Sequence, residues 1–171
     1  ADDEMKKRLA AEGIKLSSAN SINIGRLVPQ VAYYVYSYVK LTEEGALKEG
    51  DPMNVVVPTG NFGNILAAYM AKEMGLPIGK LICASNENNV LTDFIRTGVY
   101  DARRQFYLTS SPSMDILISS NLERLLYLLS GRDGKAVSDW MKALEVDKVY
   151  EVSEKVREGL ADFYGGFCTE R

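Results

Sequence analysis

Two periodicities organise the chain. Asn54-Val55-Val56-Val57 is a short β-branched run closed by Pro58, which suits a buried strand or its last residue. After Thr59-Gly60-Asn61-Phe62-Gly63-Asn64 comes Ile65-Leu66-Ala67-Ala68-Tyr69-Met70-Ala71, helix-favouring and without a polar face, so mostly buried. Gly75-Leu76-Pro77 ends that helix, and Lys80 to Ala84 predicts the next buried strand. A strand-helix-strand order implies α/β architecture with parallel pairing.

A second periodic stretch has apolar residues at Ile24, Leu27, Val28, Val31, Val35 and Tyr38, a spacing that predicts a core helix with Tyr33, Tyr36 and Lys40 off its stripe. Pro29 clashes with the carbonyl of Gly25 and predicts a kink. Before it, Asp3 to Ala11 reads as a short helix stopped by Gly13, and Ile14-Lys15-Leu16 as a strand. After it come a helix over Val90 to Thr97 ended by Gly98, an edge strand over Arg103 to Leu108 and a turn or short helix at Ser110-Ser111-Pro112-Ser113. Asn121 is expected to cap a helix from Leu122 to Ser130, with Leu122, Leu125, Leu126, Leu128 and Leu129 in the core. Past the break at Gly131 to Gly134 the pattern predicts a helix near Ala136 to Leu144, a strand at Val149 to Val152 and a helix opened by Ser153. Dispersed charge makes this tail a solvated surface, with Trp140 as a packing anchor. There is no internal repeat and no low-complexity linker.

The chemistry gathers at the strand-loop-helix unit. A Gly/Asn turn feeding a helix leaves backbone N–H groups unpaired at the positive end of the helix dipole, where phosphate fits well. Gly60 and Gly63 are expected to keep Cβ atoms out of the way and to permit positive φ, while Asn61 and Asn64 add carboxamide donors. An ordinary polar turn is the alternative. Neither a P-loop nor a dinucleotide fingerprint is present. Ser18, Asn20, Ser21, Asn23 and Arg26 crowd the start of the second helix; capping, which accounts for one or two of them, is the first reading of these residues, and a second anion site is the other. Ser85-Asn86-Glu87-Asn88-Asn89 reads as a site wall or as a turn into the next helix.

Composition narrows the classes. A chain of 171 residues, 46% hydrophobic, has length for about one domain. A net charge of −3 gives no basic field for nucleic acid or an anionic membrane. No apolar run reaches the ~20 residues of a membrane span, and the acidic start is unlike a secretory signal, so a cytoplasmic location is expected. Cys83 and Cys168 are far apart and expected as free thiols. With no histidine, zinc sites, thiol-imidazole dyads and the Ser-His-Asp triad are excluded, and no metal site is expected. The abrupt charged start reads as a cut from a longer chain.

Pro58-Thr59-Gly60-Asn61-Phe62-Gly63-Asn64 resembles the phosphate-binding loop of threonine synthases, fold-type II pyridoxal 5'-phosphate enzymes. Asn20-Ser21-Ile22-Asn23 with Arg26, and Ser111-Pro112-Ser113-Met114-Asp115-Ile116, resemble two further motifs of that family, in its order and spacing. The similarity runs through most of residues 12–132 and weakens from Gly134. The resemblance implies a three-layer α/β fold, a mostly parallel sheet with helices on both faces. Residues 1–133 would be the core of the cofactor-binding large domain and 134–171 a helical, charged extension of it.

The resemblance also assigns roles. Gly60, Asn61, Phe62, Gly63 and Asn64 would hold the phosphate of pyridoxal 5'-phosphate. Ser21, Asn23 and Arg26 would hold the phosphate of O-phospho-L-homoserine, the substrate that such lyases convert with water to L-threonine and phosphate. Thr59, just before the loop, is expected to help through its hydroxyl. None of the eleven lysines has the context of the family's Schiff-base lysine, so no catalytic residue is expected within this chain, and the isolated piece is expected to be inactive and to self-associate through exposed domain contacts. Threonine dehydratase, a noncatalytic phosphate- or nucleotide-binding module and a purely structural α/β domain are the alternatives. Pyridoxal phosphate, a small-molecule substrate, no nucleic acid and no membrane complete the expectations.

Overall fold

The computed structural model describes residues 2–15 and 20–169. In chain order the helices and strands are α1 (Asp2–Ala11), α2 (Ile24–Leu27), α3 (Val31–Glu43), β1 (Met53–Pro58), α4 (Gly63–Glu73), β2 (Ile78–Ser85), α5 (Val90–Thr97), β3 (Val99–Asp101), α6 (Leu122–Leu129), α7 (Gly134–Val146), β4 (Val149–Glu151), α8 (Glu154–Gly159) and β5 (Phe163–Phe167). The fold is α/β, with a mostly parallel sheet and helices.

The main sheet has the order β1-β2-β5, parallel throughout, and β3 pairs antiparallel with β4. Val57, Cys83 and Gly165 are aligned across the three strands. On that face α4 and α5 lie against the sheet: Phe62 and Tyr69 approach the Phe163 ring at 5.9 and 5.7 Å. A Cβ on Gly165 would come within 2.7 Å of Thr92 Cα, so α5 sits as close to β5 as backbone allows. The aligned residues of the opposite face, Val56 and Tyr164, are exposed. Pro58 ends β1 on an edge strand, where its missing N–H costs no ladder bond. Ile65, Leu66, Ala67 and Ala68 of α4 are fully buried, as the lack of a polar face requires.

Several local expectations need correcting. The second helix is interrupted at Pro29: α2 stops at Leu27, Val28–Gln30 form a 3-10 turn, and α3 restarts at Val31. Its core stripe is Leu27, Tyr34 and Tyr38, while Ile24, Val28 and Val35 are exposed. Burying tyrosines is tolerable here because both hydroxyls find partners, Tyr34 donating to Asn64 and Tyr38 accepting from the Gly50 N–H at 2.8 Å. Ile14 and Lys15 form no strand, and Leu16 lies outside the described residues. Residues 103–108 form no strand either; that stretch is held by side chains, and the pairing segment is β3 just before it.

The tail is less of a surface than its charges suggest. Val156, Leu160 and Phe163 are buried, and β5 completes the main sheet. Trp140 packs on Tyr150 with ring centroids 6.5 Å apart. Both cysteines are free, Cys83 buried and Cys168 exposed.

Candidate phosphate-binding site

The C-terminal end of β1, the 59–62 loop and the start of α4 surround a cavity of about 370 Å³. Its lining contains Gly60, Asn61, Phe62, Gly63 and Asn64 together with Ser21, Arg26, Gln30, Ser113 and Met114. The two sets expected to bind anions, separated by some forty residues of sequence, thus border one space through Gly60 to Asn64 and through Ser21 and Arg26. Asn23 is not in the lining; its side chain caps α2, accepting from the Gly25 N–H at 2.8 Å. Ser18 lies outside the described residues.

The backbone around the loop is held from its carbonyl side. Thr59 N–H donates to Ala84 O at 2.8 Å, extending the β1–β2 ladder. Gly60 O accepts from the Ser119 hydroxyl at 2.9 Å, and Asn61 O accepts from both the N–H and the side-chain amide of Asn121, at 3.1 and 2.8 Å. The N–H groups of residues 60–64 have no partner among the described residues. This is the donor arrangement of an anion seat at a helix N-terminus.

Details differ from the sequence reading. The left-handed residue is Phe62, at φ 62°, and neither glycine. A Cβ on Gly60 would meet Ile116 Cδ1 at 2.9 Å and Ser113 O at 3.1 Å, and one on Gly63 would touch Asn121 Nδ2 at 3.4 Å. Glycine is therefore needed at position 60 for the close approach of the 113–116 segment, whereas at position 63 a Cβ would make only an ordinary contact. The carboxamides of Asn61 and Asn64 act as struts: Asn61 Nδ2 donates to Ser21 Oγ at 2.8 Å, and Asn64 Nδ2 to Gln30 Oε1 at 2.8 Å. Tyr34 donates to Asn64 Oδ1 at 2.6 Å, and burial pushes its phenol up to about 12, keeping that proton in place. The Thr59 hydroxyl is occupied by Val57 O at 2.7 Å.

The polar run after β2 serves neither as a wall of this cavity nor as a simple cap. Asn88 is buried and pairs with the Tyr107 backbone through both side-chain atoms, at 2.8 and 2.9 Å. Asn86 donates to Asp115 Oδ1 at 2.7 Å. Asp115 also accepts from the Thr109 N–H at 2.9 Å and hydroxyl at 2.7 Å, which folds the 109–115 loop so that Ser113 and Met114 face the cavity. Sequence reasoning missed Asn121, Ser119, Tyr34 and Gln30. The pair Ser119-Ser120 before Asn121 was the available signal, since three short polar residues ahead of a leucine run exceed what one cap uses.

No family model matches the chain. Among solved structures it is similar to the pyridoxal-phosphate-bound threonine synthase of Brucella melitensis, with a TM-score of 0.83 and 43% identity over 90% of this chain and 32% of that one. Yeast threonine synthase superposes with a TM-score of 0.82 and 40% identity over 91% of this chain and 32% of that one. The fold is that of the fold-type II pyridoxal-phosphate enzymes. Over 160 residues the chain is 52% identical to human threonine synthase-like 1, covering 92% of this chain and 22% of that protein. It is 43% identical over 165 residues to threonine synthase of Saccharomyces cerevisiae, covering 91% of this chain and 31% of that enzyme. The chain belongs to the threonine synthase family and spans less than a third of the length of these relatives. Among the described residues no helix is long and apolar enough to cross a membrane.

Proposed function

We propose that this chain is the phosphate-binding part of a pyridoxal 5'-phosphate-dependent lyase that converts O-phospho-L-homoserine and water to L-threonine and phosphate. The observation that carries the reading is the run of N–H groups at residues 60–64, without partners among the described residues, bordering a cavity that Ser21 and Arg26 also line. The seat fits a phosphate monoester: donors are backbone, the nearby carbonyls are turned to Ser119 and Asn121, and among the described residues no carboxylate lines the cavity. Hydrogen bonds to charged oxygens at about 1.5 to 3 kcal/mol each suffice to hold such a group. Gly60 to Asn64 would take the cofactor's phosphate; Ser21 and Arg26 would take the substrate's, with Asn23 holding the turn that presents them.

When bound, pyridoxal phosphate supplies an electron sink for chemistry at the carbons next to the amino group. This chain's residues bind and orient. Among the described residues no lysine lines the cavity, which supports the expectation that the isolated chain does not turn over. Residues 1–133 would form the core of the cofactor-binding domain, and 134–171, through β5, its extension.

The test is binding with and without turnover. Purified 171-residue protein should bind pyridoxal phosphate and O-phospho-L-homoserine but release no inorganic phosphate, and Arg26→Ala should weaken the second ligand more than the first. Phosphate release would refute the inactivity, and stabilisation by nucleotide in place of pyridoxal phosphate would refute the cofactor assignment. The higher identity to proteins named threonine synthase-like 1, 52% against 43% for the yeast synthase, favours a second reading in which the seat is retained and the reaction differs. Product analysis of the longer protein separates the two.

A further inference from the structure

Asn121 is wholly buried, and every polar atom of its side chain is committed. Its Nδ2 donates to Asn61 O at 2.8 Å and to Ser21 O at 3.0 Å, and its Oδ1 accepts from Arg124, which also donates to Ile22 O at 2.7 Å. Although it occupies the N-cap position of α6, its side chain makes no capping bond. A residue kept only to start the helix would be more cheaply placed facing solvent.

The consequence follows from peptide planarity. In a trans peptide the C=O and the next N–H point in opposite directions. Asn121 draws the Asn61 carbonyl to itself, so the Phe62 N–H points the other way; Ser119 draws the Gly60 carbonyl, so the Asn61 N–H does too. Neither Ser119 nor Asn121 lines the cavity, whereas Asn61 and Phe62 do. The same Asn121 amide fixes the Ser21 carbonyl, so one side chain sets the seat and ties the Ser21 loop to it.

We infer that Asn121 is a positioning residue for phosphate binding: from behind the loop, and without touching the ligand, it sets the polarity of the Asn61–Phe62 peptide and joins the Ser21 loop to the seat. This rests on the proposed phosphate-binding reading. Asparagine is specified because the site needs two donors toward two carbonyls, and an aspartate would set a carboxylate against both.

The experiment uses the 19.0 kDa protein labelled with 15N, with pyridoxine 5'-phosphate as probe, a phosphate ester that needs no lysine. In Asn121→Asp the Phe62 amide signal of the ligand-free protein should move, and at pH 8 the probe should bind at least about tenfold more weakly than to the unmodified protein. A displaced Phe62 amide signal in a variant that keeps its fold is the signature that a merely structural defect would not give. If Asn121→Asp does not fold, Ser119→Ala is read the same way at the Asn61 amide, with a several-fold loss. Unmoved amides and unchanged affinity overturn the inference. A moved Phe62 signal in a protein whose unmodified form ignores the probe upholds the positioning and refutes the phosphate-binding reading instead.

Discussion

The Asn61 carboxamide donates to the Ser21 hydroxyl across 2.8 Å, linking the loop ahead of α4 to the turn ahead of α2. The two lie forty residues apart in sequence and border one cavity, so the hydrogen bond couples two cavity-lining segments. A double-mutant cycle of Ser21→Ala and Asn61→Ala should show a coupling of about 0.5 to 1.5 kcal/mol in urea unfolding. Strictly additive single effects would mean the contact does not form in solution.

The glycines of the loop face the protein, which predicts a graded series. Gly60→Ala drives a Cβ against Ile116 and the Ser113 carbonyl and should cost about 1 to 3 kcal/mol. Gly63→Ala meets Asn121 and the Ser21 carbonyl at ordinary distances and should cost less. Thermal unfolding of the two variants decides, and the reverse order would contradict the packing.

Phe62 combines a left-handed backbone with a buried ring against Phe163. Phe62→Gly relieves about 1 kcal/mol of backbone strain but empties a core site worth about 3 kcal/mol or more. Net destabilisation is expected by chemical denaturation; a more stable variant would show that the strain dominates.

Acid should act through Asp115. The Thr109 N–H, with the Thr109 hydroxyl and the amides of Asn86 and Asn88, holds its carboxyl below the usual range. A depressed native value stabilises the fold above the unfolded value near 4, and this contribution is lost as pH falls through the native value. The melting temperature of Asp115→Asn should therefore lie below that of the unmodified protein at pH 7, with the gap closing toward pH 3. A gap independent of pH would exclude the carboxylate as the cause.

How much of this was legible depends on where each signal resides. The β1-loop-α4 unit could be read because Val55 to Pro58 and Ile65 to Ala71 are locally consistent in period and composition. Strand β5 could not: Phe163-Tyr164-Gly165-Gly166-Phe167 has two interior glycines, and Gly165 is explained only by Thr92 arriving from α5. The buried face of the 24–43 segment was missed because Ile24, Val28 and Val35 look more apolar than Tyr34, whose burial depends on a distant partner, Asn64. The cavity was half legible. Its loop and Arg26 stand out by residue type, whereas Asn121 resembles a cap until Ser21 and Asn61 are brought beside it.

A crystal structure of the protein grown with pyridoxal 5'-phosphate tests the central claim most directly. The phosphate oxygens are expected within about 2.7 to 3.2 Å of backbone nitrogens between Gly60 and Asn64. Phosphate density elsewhere with this loop unliganded, or loop amides rotated into bonds with the protein, would contradict it.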